Sequence, residues 1–257
     1  MARFPFPGTP ARRRPWLGAL LGLALLASLA LNLVLFQQAS GFYALANAIR
    51  LDPLGLDRLP PDVRRPDTQG RPLAVFLGDS RAESWPAPEG RGDMAFINRG
   101  VDGQTTAQIL ARFDAHLPAL RPDWVILQAG INDLKTLPLF PWREREIVAR
   151  TQANLAALVQ RSRALGARVV LTTVFPAGAV PLARRPFWSP AVARAVAEVN
   201  AQLRRLAGPD VLVLDGHALL SQDGQARAAY YLDTLHLNPR GYAALNQALS
   251  PLLARGS

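Results

Sequence analysis

The chain has 257 residues, enough for one sizeable domain plus an appendage, and its 49% hydrophobic and 19% charged residues exclude disorder. It holds no cysteine, which excludes disulfides, thiolate metal sites and a cysteine nucleophile. The formal charge of +10 does not make it a nucleic-acid binder: Lys135 is the sole lysine, and Arg3, Arg12, Arg13 and Arg14 precede any folded domain. No zinc-finger, basic-zipper or aromatic RNA-binding pattern accompanies that charge.

From Trp16 to Phe36 the chain reads WLGALLGLALLASLALNLVLF, with Ser28 and Asn32 its only clearly polar members. About 20 apolar residues cross a hydrocarbon core of roughly 30 Å, so this run predicts a single transmembrane signal-anchor over 16–36. The arginines of a basic tail, 1–15, put the N-terminus in the cytoplasm and everything after Phe36 outside. A cleaved signal peptide, with Ala44-Leu45-Ala46 as the cleavage site, is the competing reading, and it exports the same residues. Residues 37–72 read as a stalk: FYALANAIRLDPLGL as a short interfacial helix, then LPPDVRRPDTQGRP as an extended linker.

Residues 73–257 form the folded domain, in which strand and helix patterns alternate. Apolar runs at Leu73–Leu77, Ala95–Ile97, Trp124–Leu127, Arg168–Val174 and Asp210–Leu214 predict five strands. Helices are expected over Thr105–Leu117, with Ile109, Leu110, Phe113 and Leu117 on one face, and over Trp142–Leu165, stopped by Gly166. Two more are expected over Pro190–Leu206 and from Pro239 to Leu253. Strands separated by helices pair in parallel through right-handed crossovers, so the expected fold is α/β: a three-layer α/β/α sandwich on a mainly parallel five-stranded sheet. Ligands in such sheets sit beyond the carboxyl ends of the strands.

Four turns reach that edge. Gly78-Asp79-Ser80 follows the first strand, NRGVDG (98–103) the second and GIND (130–133) the third, while DTLH (233–236) precedes the last helix. Together they offer what acyl transfer requires. Ser80 is the candidate nucleophile, His236 its base and Asp233 the group that orients the imidazole. The Ser80 and Gly100 N–H groups and the Asn132 amide are the candidate oxyanion-hole donors. Asp79 and Asp133 read as loop-stabilising residues. Of the other histidines, His116 reads as a surface charge near a helix end, and His217 is the rival base. The histidine spacing implies no metal site, and no cofactor is called for. The serines lack a GxSxG context, which argues against the α/β-hydrolase fold.

FLGDSRAESW, INRGVDGQTT, PDWVILQAGINDL and DTLHLNPRGYAAL resemble, in order, the four blocks of the SGNH hydrolase family, also called GDSL-type esterases. The resemblance spans about residues 73–253. It implies an SGNH hydrolase domain with a Ser-Asp-His triad, an oxyanion hole from serine, glycine and asparagine, and carboxylic esters as substrates. The family usually carries leucine after the serine, where this chain has Arg81; that arginine reads either as a solvated side chain or as a group biasing substrate charge. The loop Phe175–Ser189 reads either as a flap over substrate or as an ordinary surface loop. The expected function is a membrane-anchored serine esterase in the cytoplasmic membrane with its domain outside, acting on a small ester, lipid or acylated glycan. An acetyl esterase or acetyltransferase for envelope polysaccharide, and a non-catalytic envelope binding protein on the same fold, are the alternatives.

Overall fold

The computed structural model describes residues 15–59 and 63–254, and these fall into two units that divide between Pro53 and Leu54. The first is a single helix, α1 (Pro15–Leu51). Its stretch Trp16–Leu51 is long and apolar enough to cross a membrane, with a mean hydropathy of 2.4 in its most apolar part. The expected anchor ends at Phe36 and a separate short helix was expected within 42–56, but one helix runs on through 37–51, which contains no proline. It stops where Asp52-Pro53 and the left-handed Gly55 (φ 64°) follow. At 1.5 Å per residue, 37 residues cover about 55 Å, well beyond a hydrocarbon core of roughly 30 Å. The basic tail, apart from Pro15, lies outside the described residues.

The second unit begins with the latter part of the expected stalk, which is fastened to the domain. Leu54 O accepts from Gln104 Nε2 at 2.6 Å, and Arg65 Nη2 meets Asp123 Oδ2 at 2.8 Å. Asp123 Oδ2 also accepts the Leu73 N–H at 2.7 Å, just where the first strand starts.

Five parallel strands make the sheet: β1 (Leu73–Gly78), β2 (Ala95–Gly100), β3 (Trp124–Gln128), β4 (Arg168–Thr172) and β5 (Val211–Leu214), in the order β2-β1-β3-β4-β5. Side chains alternate between its faces with the period of two expected of a strand. Leu77, Val125, Leu127, Val169 and Leu171 pack in one core cluster with Ile109, Phe113, Leu155, Leu158, Val199 and Leu203. Phe76, Trp124, Ile126, Val170 and Leu214 belong to the opposite cluster, with Trp85, Tyr242, Leu245 and Leu249. The helices are α2 (Ser80–Glu83), α3 (Thr106–Ala111), α4 (Phe113–His116), α5 (Ile131–Leu134), α6 (Glu144–Ala164), α7 (Pro190–Arg205), α8 (Gly216–Leu219) and α9 (Pro239–Ala254). This is the expected α/β/α sandwich.

The chain turns outward from β1 to β2, then crosses back to β3 on the other side of β1. The sheet therefore reverses direction between β1 and β3, and their carboxyl ends open the crevice where ligands of such sheets bind. Two details depart from expectation. The helix predicted over 105–117 is broken at Arg112, whose side chain turns inward and is fully buried. Its guanidinium donates to Gln104 Oε1 at 2.6 Å, Arg99 O at 2.8 Å and Gly78 O at 3.2 Å, tying the carboxyl ends of β1 and β2 together. A small antiparallel hairpin, β6 (Ser221–Gln222) and β7 (Gln225–Ala226), turns at Asp223 and Gly224, both left-handed.

Candidate active site

Ser80 is the first residue of α2, immediately beyond β1. Asp79 caps that helix, its Oδ1 accepting the Arg81 N–H at 2.9 Å, and this fixes the turn that carries the serine. Close packing sets the turn's surroundings. A side chain at Gly78 would strike the Gln128 carbonyl, and one at Gly100 would strike the backbone of Ala82 and Glu83. The Ser80 side chain is almost completely buried, and its N–H has no acceptor among the described residues.

From the other side comes the loop before α9. Tyr231 bridges Leu237, and the Leu232 N–H donates to His236 O at 2.8 Å, closing the loop on itself. Asn238 Oδ1 accepts the Arg240 and Gly241 N–H groups and so caps α9 directly after it. Within this frame Asp233 Oδ1 accepts the N–H groups of Leu235 (2.7 Å) and His236 (2.8 Å), and Asp233 Oδ2 lies 2.8 Å from His236 Nδ1. His236 Nε2 lies 3.2 Å from Ser80 Oγ. Three groups expected together from sequence thus stand in one line, although serine and histidine are 156 residues apart.

Burial by itself would raise the Asp233 carboxyl, but hydrogen bonds from the His236 ring and from the His236 and Leu235 N–H groups outweigh it and bring it down to about 2. Asp233 is therefore a carboxylate at any working pH, and its Oδ2 can accept a proton-bearing Nδ1. That leaves Nε2 as the lone pair facing the serine hydroxyl.

Asn132, nearly fully buried in α5, reaches the same crevice; its Nδ2 donates to Gln104 O at 2.9 Å and keeps a second hydrogen. Gly100 does not have a free N–H, contrary to expectation. It still lies in the β1–β2 ladder, and its N–H donates to Asn98 Oδ1 at 2.8 Å. Gly103, three residues on, is left-handed (φ 74°), and its N–H meets no acceptor among the described residues.

Arg81 is neither solvated nor turned toward substrate. It is fully buried, and its guanidinium donates to Leu235 O, Phe175 O and Pro176 O. Asp79 is also fully buried; burial, only partly opposed by Arg81, raises its carboxyl to about 6. Asp133 accepts from the Thr106 N–H and hydroxyl, the loop-fixing role expected of it. His116 is buried rather than on the surface; burial, then the nearby Arg112 and Arg99, lower it to about 4. His217 is the second residue of α8, its N–H held by Thr173 Oγ1, and among the described residues no hydrogen bond joins it to Ser80.

The loop from Phe175 to Ser189 is pinned by the fully buried Phe175 and by Trp188 packing on the core, while Leu182 and Phe187 lie exposed on a 3-10 turn between them. Between this loop and residues 228–234 lies a depression of about 530 Å³, with Arg184, Leu232, Asp233 and Thr234 among its walls. No group of three or more potential metal-ligating side chains occurs among the described residues.

The model of the GDSL-like lipase/acylhydrolase family matches residues 68–244. The chain belongs to that family. Among curated proteins it is similar to an acetylxylan esterase of Geobacillus stearothermophilus, 31% identical over 128 residues (39% of this chain, 58% of that protein). It is also similar to esterase TesA of Pseudomonas aeruginosa, 32% identical over 110 residues (40% of this chain, 50% of that protein). The chain thus spans about half the length of the curated relatives it matches. A GDSL-like lipase from Bacteroides thetaiotaomicron superposes with a TM-score of 0.58 over 84% of this chain and 98% of that one. At 21% identity that likeness shows the shared fold.

Proposed function

We propose that this member of the GDSL-like family is a serine esterase, held at the outer face of the cytoplasmic membrane by α1, that hydrolyses carboxylic esters through an acyl-Ser80 intermediate. The observation that carries this reading is the unbroken line Asp233–His236–Ser80. His236 Nε2 takes the Ser80 proton as Oγ attacks the ester carbonyl, and Asp233 stabilises the imidazolium that forms. The negative oxygen of the tetrahedral intermediate is met by the Ser80 N–H, the spare hydrogen of Asn132 and the N–H of Gly103, which replaces Gly100 as third donor. Collapse expels the alcohol, which takes the proton from His236. A water, deprotonated by the same histidine, then releases the acid and restores Ser80.

The test is hydrolysis of p-nitrophenyl acetate, butyrate and octanoate by the parent chain and by Ser80→Ala and His236→Ala. Turnover by the parent and its collapse in both folded variants support the reading; a fully active Ser80→Ala overturns the nucleophile. An acetylated envelope glycan is the second reading of the substrate, favoured by the similarity to the acetylxylan esterase. Acetate release from acetylated xylan or peptidoglycan, with negligible octanoate turnover, would select it. A parent inert toward esters and serine-directed phosphonates alike would mark a binding protein instead.

A further inference from the structure

Resting on that reading, we propose that Arg81 is a positioning residue that sets the distance between nucleophile and base by clamping the histidine loop to the serine turn. Its backbone belongs to the turn: its N–H is held by Asp79, and its carbonyl accepts the Tyr242 hydroxyl at 3.0 Å. Its side chain belongs to the other half of the site. Nε donates at 2.7 Å to Leu235 O, the carbonyl of the peptide unit that leads into His236. Nη1 and Nη2 donate to Phe175 O at 3.1 Å and Pro176 O at 3.3 Å, where the long loop leaves the sheet. One side chain therefore bridges three chain segments that converge on the reaction centre and are otherwise distant in sequence.

The same loops are stitched to each other. Gly178 N–H donates to Thr234 O at 2.8 Å, Thr234 Oγ1 to Ala179 O at 2.9 Å, and Tyr231 Oη to Pro176 O at 2.7 Å. Those bonds join loop to loop; besides the His236–Ser80 contact itself, it is Arg81 that joins them to the serine turn. The guanidinium is suited to this because its planar fork holds several acceptors in fixed directions, and the Phe175 ring 5.5 Å from its centre covers one face. An ammonium is a point charge on a flexible stem and reproduces neither property. The buried cation is faced by the Asp79 carboxylate and by three carbonyl dipoles, so a side chain usually found at surfaces is tolerated beside the nucleophile.

Misplacing a base by about 1 Å costs on the order of 100-fold in rate, and this is the effect expected on releasing the clamp. In the full-length chain in detergent, Arg81→Met and Arg81→Lys are compared with the parent and with Leu249→Ala, a core variant remote from the site. The readouts are kcat and KM on p-nitrophenyl butyrate, the rate of Ser80 phosphonylation by a fluorophosphonate, and the downfield proton resonance of the Asp233–His236 hydrogen bond. Expected in Arg81→Met are a fall in kcat of about 100-fold, KM within about threefold, equally slowed phosphonylation and a lost or shifted resonance. Arg81→Lys should fall in between, and Leu249→Ala should keep the parent's kcat despite a lower Tm. If Arg81→Met does not fold, Arg81→Lys decides by the same readouts. A folded Arg81 variant with kcat and phosphonylation within about twofold of the parent overturns the clamp alone. A parent that is not phosphonylated at Ser80 overturns the esterase reading and the clamp with it.

Discussion

In the proposed mechanism, removing the Ser80 hydroxyl or the His236 ring breaks the proton path at its two ends, and each loss should cost at least about 10³-fold in kcat, read on p-nitrophenyl butyrate. The double variant should fall little further, because the two groups act as one unit. Asn132 differs, since in the proposed mechanism one amide hydrogen meets the oxyanion while the other is held by Gln104 O: Asn132→Ala should lower kcat by about 10²–10³-fold with KM little changed. His116 bears on the pH dependence of stability. Its ring is buried with both nitrogens unpartnered, near the cations Arg99 and Arg112, and its folded value of about 4 lies below the ordinary 6.5. The unfolded chain thus binds a proton at His116 between those values while the folded chain does not, and stability is lost as pH falls through that window. The carboxyl of Asp79, raised to about 6, acts in the opposite sense, so the two partly cancel in the parent. Denaturant midpoints at pH 6.5, 5.5 and 4.5 should show the parent losing stability relative to His116→Leu as pH falls; parallel curves would overturn this account.

Among the elements, α9 links the core to the chemistry. It starts three residues after His236, is capped by Asn238, and buries Tyr242, Leu245, Leu249 and Leu253 against the sheet. Leu245→Ala should lower stability by about 2–5 kcal/mol, measured by urea unfolding, because the emptied site is fully buried. The kink at Arg112 has a similar logic. An uninterrupted helix would carry that side chain away from the Gly78 and Arg99 carbonyls at the crevice. The cost of breaking the helix is offset by three charge-assisted hydrogen bonds, which hold the carboxyl ends of β1 and β2 together.

For the whole molecule, the division at Pro53 separates a long apolar helix from the unit that holds the candidate site. A chain beginning at Leu54 should therefore stay in the supernatant after ultracentrifugation and keep the parent's kcat/KM on p-nitrophenyl butyrate, while the full chain sediments with membranes. The absence of cysteine gives a clean test of sidedness. Gln222→Cys, exposed in the β6–β7 hairpin, should react with a membrane-impermeant maleimide in intact spheroplasts; labelling only after lysis would reverse the orientation inferred from the arginines before α1.

Apolar runs of strand length separated by helical periodicity determined the parallel sheet and its layers, because burying such runs on both faces leaves few alternatives. The four polar turns were legible for the same reason: each follows a strand or precedes a helix, and the topology brings such ends to one edge. The Asp223-Gly224 hairpin was not anticipated, because its two-residue strands are too short to show a period. The fate of particular side chains was not legible. Arg81, Arg112 and His116 look like surface residues by type, and whether a polar side chain turns inward depends on carbonyls supplied by distant segments. Gly100 and Gly103 share one motif, and only the folded loop shows that the Asn98 side chain takes the N–H of the first while that of the second meets no acceptor among the described residues. Sequence determined which groups meet; tertiary structure decided which hydrogen bonds each had left to offer.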